Sequence, residues 1–225
     1  MVSSARTRKD PTERRQEILR QAASIALERG LECVTLRAVA EPLGVRASLV
    51  HHYFSSAEAL VVAAFELAIS GEREVLFSAK GTPTDRLATL IRRVQDGAGD
   101  ELARFWLNAR NLSRFRSDLA LALAEQESLD RRELVGLLDD GVAVGEFACS
   151  DTLGACVRIF TAIDGRGAYV NNLGEFHHPA YVHFVTDVAA WAVGVPVEEL
   201  RARVAAVEVE GRRDRGAASA LGGAV

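Results

Sequence analysis

Between residues 35 and 60 the chain reads TLRAVAEPLGVRASLVHHYFSSAEAL, which crowds Arg37, Arg46, Ser48, His51, His52 and Tyr53 into one short stretch. A guanidinium presents two parallel donors that match the outer edge of guanine, and hydroxyl or imidazole groups can bond bases or phosphates. The chemistry on offer is hydrogen bonding to a duplex, not bond making. Elsewhere, bond making has little to work with. Glu175-Phe176-His177-His178 holds one ExxH, whereas helical di-iron sites converge two such motifs with two further glutamates. A single copy in a loop before Pro179 reads as a structural or surface pair. His51 and His52 are adjacent, and helical neighbours point apart, so they make a poor metal site. Asp164-Gly165-Arg166-Gly167 follows no strand, so it does not read as a phosphate cradle. The sequence shows no Ser-His-Asp order, paired acidic motif or phosphate-binding lysine loop. It predicts no enzyme activity, no cofactor and no metal.

Those polar side chains need elements to hold them. Thr35 can cap a first short helix with its hydroxyl. Leu36, Val39, Ala40 and Leu43 then follow the three-and-four spacing of a buried face. Gly44 sits where the chain must reverse, a place that tolerates positive φ. Arg46, Ala47, Ser48 and Leu49 open a second helix that His51, His52, Tyr53 and Phe54 close. A first turn of small or cationic side chains suits a helix entering a major groove by its N-terminus. Upstream, Asp10-Pro11-Thr12-Glu13 is a helix start. That helix runs to Arg29 and stops at Gly30, with Ile18, Ala22, Ile25 and Ala26 on its core face and Leu19 alongside. Pro42 is placed in the last turn of the first short helix, where it removes a donor.

Gly44-Val45, Tyr53-Phe54, Ser56, Glu58 and Leu60 resemble the TetR-type helix-turn-helix signature. Ile18, Leu19, Ala22, Ala23, Gly30, Thr35, Val39 and Ala40 fit the same pattern. His51 stands where that family usually has Tyr, and Ala57 where it usually has Lys; both usual residues touch phosphates. More loosely, Gly141, Gly145-Glu146-Phe147, Asp151 and Ile163-Asp164-Gly165 look like the C-terminal half of such regulators. The resemblance implies an all-α protein: an N-terminal three-helix DNA-binding domain followed by a helical ligand-binding and dimerisation domain. It implies a sequence-specific transcriptional regulator, a repressor released from its operator by a small-molecule effector. Arg37, Arg46, Ala47, Ser48 and Leu49 would face the major groove, while Thr35, His51, His52 and Tyr53 seat the head on the backbone. The implied partners are double-stranded operator DNA carrying an inverted repeat, a second copy of the chain, and an effector of unknown identity. Two rival readings stand beside this one: an all-α enzyme, and a helical scaffold without DNA binding.

Composition bears on these readings. The chain has 225 residues, 48% of them hydrophobic, which supports a packed core over a disordered chain. Net charge is −4, but residues 1–60 hold nine Lys/Arg against seven Asp/Glu and the remainder eighteen against twenty-four. A mildly basic head on an acidic body fits nucleic-acid binding by the head alone. Cys33, Cys149 and Cys156 form no CxxC pair and read as reduced thiols. The N-terminus lacks the apolar core of a signal peptide, so a soluble, cytoplasmic protein is expected.

The expected organisation is a basic arm over 1–9, a helix-turn-helix domain over 10–55, a helical body over 56–206 and a Gly/Ala/Arg-rich disordered tail over 207–225. The arm could reach DNA or be an ordinary terminus. In the body, helices are predicted at about 56–79, carrying Leu60, Ala64, Leu67, Val75 and Leu76, then at 84–96, 101–115, 118–141, 151–172 and 180–193, with a short one after Pro196. Phe105, Trp106, Asn108, Phe115, Asp164 and Tyr169 are aromatic or polar residues on mostly apolar helices. By spacing alone they are core; by the resemblance they line an effector cavity. The 180–193 helix is apolar on two sides: Tyr181, Phe184, Val185 and Val188 on one, Val182, Ala189, Ala190 and Val193 on the other. One stripe serves a helix packed on its own domain, so a homodimer is expected through the 151–172 and 180–193 helices, with the first stripe at the interface.

Overall fold

A computed structural model describes residues 10–172 and 178–207. The arm at 1–9, Glu175-Phe176-His177 of the ExxH and the tail beyond residue 207 lie outside the described residues. What is described is helical throughout, without a strand.

Local signals start and stop most helices. Helix α1 spans Pro11–Arg29, its first amides held by the Asp10 carboxylate, and Gly30 at φ +95° ends it. A 3-10 turn at Leu31–Cys33, which the sequence did not announce, leads into α2, Leu36–Ala40. The Thr35 hydroxyl accepts from Ala38 N at 3.1 Å to cap α2. The reversal is closed by Gly44 N to Glu41 O and Val45 N to Ala40 O, both 3.1 Å, with Gly44 at φ +62°. Pro42 therefore lies past the end of α2, not within its last turn, and interrupts no bond inside that helix. Helix α3 is Ala47–Tyr53, and α4, Ala57–Leu76, starts under a Ser56 cap.

The body comprises α5 (Pro83–Gln95), α6 (Gly97–Ser113), α7 (Ser117–Ala143), α8 (Thr152–Gly167), α9 (Pro179–Val182), α10 (Phe184–Val193) and α11 (Val197–Ala206). Three expectations need correction. Gly97-Ala98-Gly99 is not a break but the first turn of α6; Asp96 interrupts the chain, and its carboxylate accepts from Gly99 N at 2.9 Å as a cap. The 180–193 helix is divided at His183. On α4, Leu67 and Val75 face outward, and the buried side is Leu60, Val61, Ala64, Phe65, Ala68 and Ile69.

Two apolar clusters hold the chain. The first joins α1 to α4 with Phe105 and Ala109 of α6 and Leu119 and Ala122 of α7. The second joins α5, the far half of α7, α8, α10 and α11. Helix α7 has 27 residues, about 40 Å at 1.5 Å per residue, and so reaches both. The head is thus packed onto the body by α4, α6 and α7.

Candidate DNA-reading unit and body cavity

Helix α3 is anchored by Val50 and Phe54, both buried, with the Arg15 guanidinium 4.9 Å from the centre of the Phe54 ring. Opposite that anchor, Ser48, His51 and His52 are exposed at relative positions i, i+3 and i+4, one face of the helix. Arg46 is exposed at the N-cap, and Thr35 and Arg37 are exposed at the start of α2. Ala47, Leu49 and Tyr53 are half-buried, and Ala47 and Tyr53 pack on the head's core. The outer face of α3 is therefore built of the polar members of the expected set, with Ala47 and Tyr53 shared with the core.

The body holds a cavity of about 270 Å³, partly open to solvent, between α4, α6, α7 and α8. Its apolar wall includes Ile69, Leu102, Trp106, Leu107 and Phe160. Charged groups on the wall are tied in pairs that bridge helices. Arg73 on α4 donates to Asp130 on α7 and, at 2.8 Å, to the side chain of Gln126. Burial holds the Asp130 carboxyl above its usual range despite that partner. Arg110 on α6 lies 5.4 Å from the Trp106 ring centre and pairs with Glu127 at 3.2 Å and Asp164 at 3.0 Å. Arg166 on α8 donates to Asp100 at 3.1 Å and to Val94 O.

Of the six residues expected at a cavity, Trp106 and Asp164 line this one and four lie elsewhere. Phe105 is buried against Phe65, ring centres 5.8 Å apart, inside the first cluster. Asn108 faces the head, where it bonds Leu31 and Glu32. Phe115 sits in the turn after α6, 77% exposed. Tyr169 lies past the end of α8, exposed, with its ring edge-on to Tyr181. Sequence reasoning missed Arg73, Arg110 and Asp130, because a charged residue on an amphipathic helix ordinarily reads as solvated.

The outward face of the body also needs revision. Val185 is wholly buried in its own chain's second cluster, so it cannot meet a second copy. Tyr181 is half-buried, with its hydroxyl directed at Arg166 O. Helix α10 instead turns Phe184 and Trp191 outward, at i and i+7, while Val188 between them is half-buried against the second cluster. Trp191 is 70% exposed. On the neighbouring α8, Leu153 and Val157 are exposed at i and i+4. The recurrence of Trp191 seven residues after Phe184 was the available signal.

Among the described residues no three His, Cys, Asp or Glu side chains cluster as a metal site, and no single helix is long and apolar enough to cross a membrane. Burial raises the Cys149 thiol and pushes that of Cys156 up to about 11, which keeps both protonated at neutral pH.

A short anchored helix, presented behind a tight glycine turn with its polar face free, defines a helix-turn-helix DNA-binding regulator. The sequence model "Bacterial regulatory proteins, tetR family" matches residues 18–64. Over 145 residues the chain is 25% identical to the HTH-type transcriptional repressor KstR2 of Mycolicibacterium smegmatis, covering 63% of this chain and 71% of that one. Over 156 residues it is 27% identical to the HTH-type transcriptional regulator BetI of Rhizobium meliloti, covering 64% and 77%. A crystal structure of a TetR-family regulator from Rhodococcus sp. superposes with a TM-score of 0.63 at 21% identity, over 81% of this chain and 96% of that one. Residues 18–64 thus carry a TetR-type DNA-binding domain, and the chain as a whole is similar in sequence and fold to bacterial transcriptional regulators of that family.

Proposed function

We propose that this regulator is a cytoplasmic, homodimeric repressor that leaves its operator when a small molecule occupies the body cavity. The observation that carries the reading is α4. It follows α3 after three residues and, some 20 residues later, supplies Ile69, Glu72, Arg73 and Leu76 to the cavity wall. One helix thus leads from just past the reading helix to the pocket wall. A ligand that binds one position of α4 better than another shifts the head by that difference in affinity alone.

In this reading residues 10–55 recognise DNA and residues 56–206 dimerise and bind ligand. Arg37, Arg46 and Ser48 read bases; Thr35, His51, His52 and the hydroxyl of Tyr53 seat the head. Phe184 and Trp191 with Leu153 and Val157, bordered by the half-buried Val188, form the apolar face that meets a second copy by two-fold symmetry. Two reading helices one helical turn apart, about 34–36 Å, require an operator that is an inverted repeat. The test is to pass random duplexes over the purified protein and sequence what it retains. Recovery of one inverted repeat supports the reading. Retention of unrelated duplexes, or of none, at physiological salt overturns it.

A further inference from the structure

We infer that Asn108 is the residue that positions the DNA-reading head on the body, and that α6 transmits cavity occupancy to the head through it, alongside α4. The inference rests on the ligand-responsive function proposed above.

Helix α6 has two working sides. Leu102, Trp106, Leu107 and Arg110 line the cavity, while Phe105, Asn108 and Ala109 face the head. The Asn108 carbonyl oxygen accepts from Leu31 N at 2.9 Å, and its amide nitrogen donates to the Glu32 carboxylate at 2.7 Å. Both ends of the amide are therefore used, which fixes its orientation. Leu31 is fully buried and opens the 3-10 turn, four residues ahead of Thr35, the cap of α2. The link spans 77 residues of sequence and reaches the head on the approach to the reading unit, not through α4.

The side chain is short, with two rotatable bonds, and holds two partners, so it conveys displacement rather than absorbing it. Any rotation of α6 that lets a ligand between Leu107 and Phe160 also moves Asn108, which neighbours Leu107. The α4 route begins on the same helix: the Trp106 ring stands edge-on to Phe65, centres 5.8 Å apart. Occupancy felt by α6 thus reaches the head at two separated points, which sets its angle as well as its distance from the partner head.

The test uses the full-length dimer and the duplex it selects, resynthesised with the half-sites moved apart or together one base pair at a time. Wild-type affinity should peak at one spacing. Asn108→Ala should flatten that peak about tenfold, the equilibrium weight of one or two lost hydrogen bonds. Affinity for an isolated half-site should stay within about twofold, because the reading helix is untouched. Asn108→Asp sets a carboxylate against Glu32 and should also flatten the peak. Adding Glu32→Gln re-forms the pair with donor and acceptor exchanged and should restore it, which a nonspecific loss of stability would not permit. Leu107→Trp, which fills the cavity, should shift the preferred spacing when Asn108 is present and not in Asn108→Ala; Leu102→Phe replaces it if that variant does not fold. A peak that stays sharp in Asn108→Ala overturns the inference and leaves the proposed function standing. Failure of the wild type to select any duplex overturns both.

Discussion

The ring of Phe147 lies on the α-carbon of Gly141, so close that a β-carbon added there would sit 2.7 Å from the ring's Cγ and nearer still to Cδ2 and Cε2. Gly141 also accepts backbone bonds from Glu146 N at 2.9 Å and Phe147 N at 3.1 Å, which fold the chain back over the end of α7. Glycine is needed for space at Gly141, and Phe147, buried there, seals the second cluster. Gly141→Ala should destabilise by about 1–3 kcal/mol through overpacking. Denaturant unfolding would measure it, with an unchanged m-value expected.

Glu146, the residue before Phe147, reaches much further along the chain. The Glu146 carboxylate accepts from Thr84 N at 2.8 Å and Thr84 Oγ1 at 2.6 Å, capping α5 from 62 residues away. Those bonds hold the Glu146 carboxyl below its usual range. A carboxyl lowered by folding contributes stability above its unfolded value near 4.3, and that contribution is lost as pH falls through the folded value. Glu146→Gln should cost about 1–2 kcal/mol at pH 7. The gap to wild type should narrow steadily below about pH 4.5, which urea unfolding across pH would follow.

These contacts mark where the sequence stops being readable. The caps at Asp10 and Thr35 and the stop at Gly30 were legible because each partner lies within a few residues. The head's buried face was legible for the same reason, as a repeat along one helix. Asn108 was not. Its aromatic-rich surroundings suggested a cavity, but what fixes it is the amide of Leu31, which no local pattern announces. Phe115 misled in the opposite direction: an aromatic near the end of an apolar helix reads as buried, yet it falls just past the last turn of α6. Val185 and Trp191 show the limit for interfaces. Two apolar stripes on one helix are visible in sequence, but which faces inward depends on how α8 and α11 pack against it.

The Arg73–Asp130 pair should behave as a buried pair, the two side chains being only 12% and 16% exposed. Arg73→Met leaves Asp130 without its cation and should cost about 3 kcal/mol at pH 7. With the pair broken, the already raised Asp130 carboxyl rises further. A carboxyl raised by folding disfavours the native state increasingly above its unfolded value near 3.9, so the variant should recover stability as pH falls from 7 toward about 4. Arg73→Met combined with Asp130→Leu should lie within about 1 kcal/mol of wild type, since the charge that needed a partner is gone. Thermal unfolding of the three proteins at both pH values would check each sign.

Arg37 and Arg46 differ from that pair in being exposed beside the reading helix. Replacing a base-reading arginine should weaken the selected duplex by about 1–3 kcal/mol and leave random duplex nearly unchanged. Replacing a phosphate-seating residue should weaken both alike and reduce the salt slope by about one. Arg37→Ala and Arg46→Ala are expected to follow the first pattern and His52→Ala the second, in fluorescence anisotropy across a salt series. Unchanged affinity in both arginine variants would refute this placement of α2 and α3.

Trp191 tests the assembly. It is the most exposed of the outward apolar residues on α10, and the Arg158 guanidinium stands 5.2 Å from its ring centre. A large aromatic left open beside Phe184 and Val157 is what a central interface residue looks like before its partner arrives. Trp191→Glu should therefore spare the fold while placing two like charges across the two-fold axis. At hot-spot magnitudes of about 2 kcal/mol or more, the dimer should dissociate in the micromolar range, where wild type stays paired. Operator affinity should fall far more than half-site affinity, because the second head would no longer bind at high effective concentration. Sedimentation velocity gives the first result and half-site titration the second. A wild-type protein that sediments as a monomer would remove the two-fold arrangement, and with it the expectation of an inverted-repeat operator.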